Sequence, residues 1–170
     1  MNWTQVAIAL GSNLGESQAT VTAALDILDN CPGIAVKSHS SWYRTAPIGP
    51  PQPDYINGCA ILAVENSQLT RTQTAEALMQ TLLNVETQFG RVRRERWGPR
   101  ILDLDLLLFE DLILKTPTLE IPHPRMRERA FVLVPLAEIA PNWIDPVTGI
   151  EIIQLVKNVD CLGVSKISED

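Results

Sequence analysis

The chain has only three cysteines in 170 residues, Cys31, Cys59 and Cys161, far apart and odd in number. That pattern excludes a disulfide framework, matches no zinc-ligand spacing and predicts a reducing compartment. Long apolar runs are missing too. No stretch approaches the ~20 residues of a membrane span. The first apolar run, residues 6–10, is too short for a signal peptide and has no basic flank. The expectation is a cytoplasmic protein without a membrane partner. Repeats and low-complexity segments are absent. Positive charge is in deficit, with 14 Lys and Arg against 20 Asp and Glu, a net charge of −6. A chain of that balance does not resemble a nucleic-acid binder. The remaining composition, 45% hydrophobic and 20% charged, is that of a soluble globular domain able to bury a core.

Against that acidic background one basic stretch stands out. Arg91, Arg93, Arg94, Arg96 and Arg100 are followed at once by Asp103 and Asp105. A positive patch on an acidic protein suits a small anionic ligand better than a long polyanion. In a strand, residues i and i+2 share a face, roughly 6–7 Å apart. Asp103 and Asp105 then project together, while Leu102, Leu104 and Leu106 point into a core. Paired carboxylates attract divalent cations, and hard oxygen ligands favour Mg²⁺. Guanidinium groups beside such a site grip phosphate oxygens. Taken alone, the arginines read as a solvated basic loop. Taken with two carboxylates on so apolar a strand, they read as a polyphosphate site, because unpaired buried carboxylates are costly.

The rest of the chain predicts alternating elements. Residues 5–10 read as a buried strand, ended by Gly11, Ser12, Asn13, Leu14 and Gly15 as a turn. That turn lacks the spacing and lysine of a P-loop. A helix over 17–30 carries Val21, Ala24, Leu25 and Leu28 at helical spacing. A strand over 34–43 leads into a proline-rich loop, and a third strand covers 55–65. On it Tyr55 and Asn57 share a face, either as a stacking and hydrogen-bonding pair for a flat heterocycle or as ordinary strand-end residues. A long helix over 69–89 places Glu86 on its apolar stripe, where it needs a cation or donors, with a nearby arginine as one candidate. The strand at 103–109 follows. His123 is held between Pro122 and Pro124, with Arg125, Arg127 and Arg129 close behind. Residues 131–134 read as a strand or its approach, and 135–140 as a short helix. Residues 150–170 say little about function.

Several pieces resemble one family, 6-hydroxymethyl-7,8-dihydropterin pyrophosphokinase. They are Gly11-Ser12-Asn13-Leu14, Tyr43-Arg44-Thr45-Ala46-Pro47, Gln52-Pro53-Asp54-Tyr55-Ile56-Asn57, Gly90-Arg91-Val92-Arg93, Arg96-Trp97-Gly98-Pro99-Arg100, Leu102-Asp103-Leu104-Asp105 and Pro122-His123-Pro124-Arg125-Met126. The resemblance implies an α+β, ferredoxin-like fold, an antiparallel sheet with helices packed on it and two mobile active-site loops. It implies one domain over 1–170, with a core over 5–141 and a C-terminal extension over 142–170.

The activity implied is transfer of pyrophosphate from MgATP to 6-hydroxymethyl-7,8-dihydropterin in folate biosynthesis, releasing AMP. Two Mg²⁺ ions are expected, with no nucleic acid and no obligate protein partner. By motif match, Asp103 and Asp105 hold the metal. Arg91, Arg93, Arg100, His123, Arg129, Trp97 and Glu86 form the ATP site, and Arg91, Arg100, Asp105 and His123 are the catalytic group. Thr45, Ala46, Ile48, Tyr55, Asn57 and Phe131 bind the pterin. Two other readings compete on the same fold. An RNA-binding module needs aromatics on the central strands, which are missing here. A nucleotide sensor has no use for Tyr55, Asn57 and Phe131.

Overall fold

In the computed structural model, which describes residues 2–46, 51–66, 69–90 and 101–167, one strand is the axis of the molecule. β1 (Asn2–Ser12) pairs antiparallel with β4 (Tyr55–Asn66) on one side and with β5 (Asp103–Phe109) on the other. Beyond β4, the segment expected as one strand over 34–43 is two. β2 (Ile34–His39) and β3 (Tyr43–Thr45) pair with successive parts of β4. The break falls at buried Ser40, whose N–H donates to the Cys59 carbonyl at 2.9 Å and whose hydroxyl receives the Cys59 N–H at 2.9 Å. The chain changes direction there without leaving a polar group of Ser40 unpaired. The sheet order is β5-β1-β4-β3-β8, with β8 (Val164–Lys166) added antiparallel to β3. The element order is β-α-β-β-α-β with β2 and β3 sharing the second strand position, the ferredoxin-like arrangement expected.

Two helices cover one face of the sheet. α1 (Ser17–Asp29) buries Val21, Ala24, Leu25 and Leu28, the stripe its spacing predicts. α2 (Arg71–Gln88) starts with a capping box, Thr70 Oγ1 accepting from Gln73 N–H at 3.1 Å and Gln73 Oε1 from Thr70 N–H at 3.0 Å. It ends before Gly90, whose φ of +75° favours a residue without a side chain. These helices pack on Val6, Ile8, Leu10, Leu104 and Leu106, the alternate residues of β1 and β5. The opposite face carries Ala7, Cys59, Ile61, Leu107 and Leu108, covered by α3 (Ala130–Ile139) and α4 (Ile152–Val156).

α3 corrects one expectation. Residues 131–134 form helix, not strand, continuous through Pro135. Four consecutive apolar residues carry no period of their own. Buried Val132, Leu133 and Leu136 show that the stripe spans the two segments read separately. A two-stranded sheet, β6 (Leu114–Lys115) with β7 (Glu120–Ile121), leads into the segment that carries His123. No helix among the described residues is long and apolar enough to cross a membrane.

Candidate active site

α3 and α4 cover only a portion of their face. Along β1, Ala7 is buried in the α3 cluster, Ala9 packs against that cluster, and Ala9 and Gly11, with the same orientation, line the cavity. The register carries that strip across the sheet. Asp105 stands opposite Ala9, and Asp103 opposite Gly11. On the other side of β1, Gly11 faces Asn57, and Asn57 faces Tyr43. The result is a cavity of about 690 Å³, floored by small residues and walled by functional ones.

The cavity brings together Thr45, Ala46, Tyr55, Asn57, Asp103, Asp105, His123, Arg129 and Phe131. It also takes in Glu128, Asp160, Gly163 and Val164, which the sequence did not point to, and Arg125, which it offered only as added positive charge. Of the remaining candidates, Ile48, Arg91, Arg93, Trp97 and Arg100 lie outside the described residues, as does most of the two loops expected to move.

Glu86 is not on the cavity. It is 2% exposed and sits on α2, across the sheet. Its Oε2 accepts the N–H of Leu104 at 2.7 Å. Leu104 lies between Asp103 and Asp105, so this buried carboxylate fixes the backbone from which both aspartates project.

At the β5 end, the His123 N–H donates to the Leu107 carbonyl at 3.0 Å, which ties the histidine segment to the aspartate strand. His123 Nδ1 accepts from the Arg125 N–H at 3.2 Å. The neutral ring therefore carries its proton on Nε2, 3.9 Å from Asp105 Oδ1. Burial pushes the imidazole below its usual value; the Asp105 charge opposes this, and Arg129 and Arg125 add to the lowering. His123 is a neutral donor aimed at the aspartate end of the cavity.

Asp103 and Asp105 share a face and open onto the cavity, the Asp105 side chain being 39% exposed. Opposite them on β1 stand glycine and alanine, so a hydrated cation has room. Two hard carboxylates with space for water and phosphate oxygens fit Mg²⁺, which keeps several waters and rarely takes an all-protein cage.

At the other end, Asn57 is 6% exposed and its Nδ2 donates to Thr45 Oγ1 at 2.6 Å. A Cβ at Gly11 would come within 3.1 Å of Asn57 Oδ1, so the glycine is what lets that amide lie against the floor. Asn13 donates through Nδ2 to Gln52 Oε1 at 2.7 Å and to the Pro53 carbonyl at 3.0 Å, fixing the chain just before Tyr55. Phe131 sits in the first turn of α3, with the Arg129 guanidinium 5.5 Å from its ring centroid.

α3 is held in place by Glu138, which accepts from Tyr43 Oη at 2.5 Å and from Ser41 N–H at 2.9 Å. Cys59 is buried on the α3 face beside the cavity, its Sγ 3.5 Å from the Val132 carbonyl, and burial with the charge of Asp105 pushes its thiol far up. It is an inert packing group rather than a nucleophile. Arg127, expected to add positive charge beside His123, instead turns away and pairs through two nitrogens with buried Asp145.

The family model for 7,8-dihydro-6-hydroxymethylpterin-pyrophosphokinase matches residues 7–141. The chain is 51% identical over 157 residues to a 2-amino-4-hydroxy-6-hydroxymethyldihydropteridine pyrophosphokinase of Synechocystis sp., covering 92% of this chain and 77% of that protein. It is 37% identical over 164 residues to the protein of the same name from Methylorubrum extorquens, covering 96% of this chain and 99% of that one. Among solved structures, it superposes on wild-type HPPK-DHPS of Plasmodium falciparum with a TM-score of 0.67 at 12% identity. That match covers 96% of this chain and 47% of the longer one. A second HPPK-DHPS structure, in complex with substrates, gives a TM-score of 0.69 at 11% identity, over 92% of this chain and 43% of that one. The chain spans less than half the length of these fused proteins, and the likeness to them is one of fold.

Proposed function

Because the chain belongs to the 7,8-dihydro-6-hydroxymethylpterin-pyrophosphokinase family, we propose that this cavity is where it carries out the family's reaction, with phosphates at the β5 end and pterin at the β3 end. The enzyme is an ATP-dependent pyrophosphokinase of folate biosynthesis, transferring pyrophosphate from ATP to 6-hydroxymethyl-7,8-dihydropterin. The observation that carries the assignment is the run of one sheet face from the carboxylates Asp103 and Asp105, over Gly11, to the Asn57–Thr45 pair.

Asp103 and Asp105 would hold Mg²⁺, two ions in our reading. When bound, the metal neutralises phosphate charge as the β-phosphorus is attacked. The chain's own residues supply positioning. Tyr55 and Phe131 sandwich the heterocycle, and Asn57, fixed by Thr45, meets its edge. Ala46 lines that end, and by motif match Ile48 is assigned to the pterin as well. The hydroxymethyl oxygen is thereby held in line with phosphorus, and such orientation supplies several kcal/mol of barrier lowering, up to roughly 7–11 kcal/mol in ideal cases. His123 donates its Nε2–H to a phosphate oxygen. Because Nδ1 already accepts from Arg125 N–H, the ring is a donor here and not the base. Arg129 adds a cation at the cavity wall; by motif match Arg91 and Arg100 are assigned to the transferring phosphates, and Arg93 and Trp97 to ATP. Glu86 acts at one remove, through the β5 backbone.

We read residues 1–170 as one unit, because Ile152 and Leu155 of α4 join the α3 core and β8 extends the sheet. The free thiols Cys31, Cys59 and Cys161 suit a cytoplasmic enzyme.

The test is product analysis with MgATP and 6-hydroxymethyl-7,8-dihydropterin. Pterin-dependent AMP release, lost in Asp103→Ala and in Asp105→Ala, is expected. Release of ADP, or AMP release that survives both substitutions, refutes the site.

A further inference from the structure

We infer that residues 160–164, outside the segment that the family model matches, form the end wall of the cavity and limit which heterocycle it accepts. Asp160, Gly163 and Val164 line the cavity, although the family match ends at residue 141. Their position is set by pairing. Val164 stands opposite Thr45 in the β3–β8 register, and Ile167 N–H donates to the Trp42 carbonyl at 2.9 Å. The segment is not a loose tail. Asp160 Oδ1 accepts from Leu162 N–H at 3.0 Å, and Val164 N–H donates to the Cys161 carbonyl at 3.1 Å.

The sheet order decides which substrate it meets. β8 lies four strand spacings from β5, roughly 19 Å at ~4.8 Å each. The aspartates and His123 are at the far side, while Thr45 and its partner Asn57 are at the near one. The wall therefore bounds the heterocycle, not the phosphates. Gly163 has the clearest role. It lines the cavity and a Cβ there meets no atom within 4 Å, so alanine is tolerated and a large side chain adds bulk beside the wall.

This rests on assigning the Tyr55–Asn57 end to the pterin, and the experiment separates the two. Steady-state AMP release is measured for the full-length variants Gly163→Phe, Gly163→Ala, Val164→Ala and Tyr55→Ala, varying each substrate in turn. Gly163→Phe is expected to raise KM for the pterin about tenfold, the scale of overpacking one aromatic into a fitted site. Its KM for ATP and its kcat stay within about twofold of the parent, marking loss of ground-state fit at one end only. Gly163→Ala is expected to shift pterin KM far less than Gly163→Phe does, because it adds one methyl group rather than a ring.

Val164→Ala, which cannot unfold an edge strand by crowding it, raises pterin KM about threefold through lost apolar contact. That keeps the test open if Gly163→Phe does not fold. Tyr55→Ala must raise pterin KM; if it does not, the assignment of the ends is wrong. If Tyr55→Ala raises it while neither Gly163→Phe nor Val164→Ala does, the wall is refuted and the assignment stands. Equal effects of Gly163→Ala and Gly163→Phe also refute it, because they report backbone freedom rather than bulk.

Discussion

Arg127→Ala tests whether the short helical turn between His123 and Arg129 is anchored from outside the cavity. Arg127 lies in the 3-10 turn Met126–Glu128 and pairs with Asp145 through Nε and Nη2. Asp145 is fully buried and also receives the Val147 N–H and the Thr148 hydroxyl, each at 3.0 Å. Removing Arg127 leaves a buried carboxylate with two donors and no counter-charge. Breaking such a pair costs about 3–5 kcal/mol when both partners are buried. The Arg127 side chain is 26% exposed, so water reaches the gap, and the lower limit, about 3 kcal/mol, applies. For a chain of this length that lowers Tm by about 6–12 °C.

The pH dependence has a definite sign. Burial alone pushes the Asp145 carboxyl up. The hydrogen bonds from Arg127, Val147 and Thr148 and the Arg127 charge overcome that and hold it below the usual carboxylate range. Its contribution is therefore present above the unfolded value of about 3.9 and is lost as pH falls through the folded one. The gap between parent and variant is widest near neutral pH and closes below about pH 4. Urea unfolding at about pH 7 and about pH 3.5 measures it, and the double variant with Asp145→Ala isolates the pair. Turnover at about 25 °C falls by less than about threefold, since Arg127 points away from the cavity. A stability loss below about 1 kcal/mol, or a turnover loss as deep as that of Asp105→Ala, refutes the reasoning.

Glu86→Ala removes the acceptor for the Leu104 N–H. It is expected to cost about 1–3 kcal/mol and to raise the Mg²⁺ concentration needed for half-maximal activity, read from a metal titration; an unchanged titration argues against bracing of the aspartate strand. Thr45→Val takes the partner from Asn57 Nδ2, and pterin KM rises about fivefold or more while ATP KM holds, a loss of about 1 kcal/mol or more. Gly58→Ala places a Cβ 2.5 Å from the buried Trp42 ring, which costs about 1–3 kcal/mol by thermal or urea unfolding; a neutral result means that Trp42 moves freely.

Most of the fold was legible because the strands and the first two helices carry clear periods. β5 appears as Asp103–Phe109, the bounds read from the sequence, since alternating aspartate and leucine leave one choice of face. α3 was half missed because its apolar residues are uninterrupted, and only burial against the sheet decides between helix and strand. The second strand position broke in two at Ser40, a residue whose hydrogen bonds depend on a neighbour 19 positions away. Arg127 was read as one of three arginines that add positive charge behind His123. Its neighbour in space, Asp145, is 18 residues on, and no local pattern announces that pairing. The end wall at 160–164 had no signal at all, because a three-residue edge strand is defined by its partner.

Gly11 shows how one strand meets two demands. As sequence, Gly11 and Ser12 read as the start of a turn, since glycine after an apolar run is a break signal. In the fold both residues are still strand, and Gly11 sits between Asp103 on β5 and Asn57 on β4. There glycine serves close approach. A Cβ would press on Asn57 Oδ1 at 3.1 Å, tilting the amide that Thr45 fixes, and would fill the floor between the two ends of the cavity. Ala9 keeps the floor low in the same way, between Asp105 and Cys59. The strand that contributes no charged or aromatic side chain to the cavity thus determines its shape: β1 is small wherever the site needs space and large (Val6, Ile8, Leu10) on the face that builds the core. A single period of two runs through both demands, so binding chemistry and packing are written on alternate residues of the same strand.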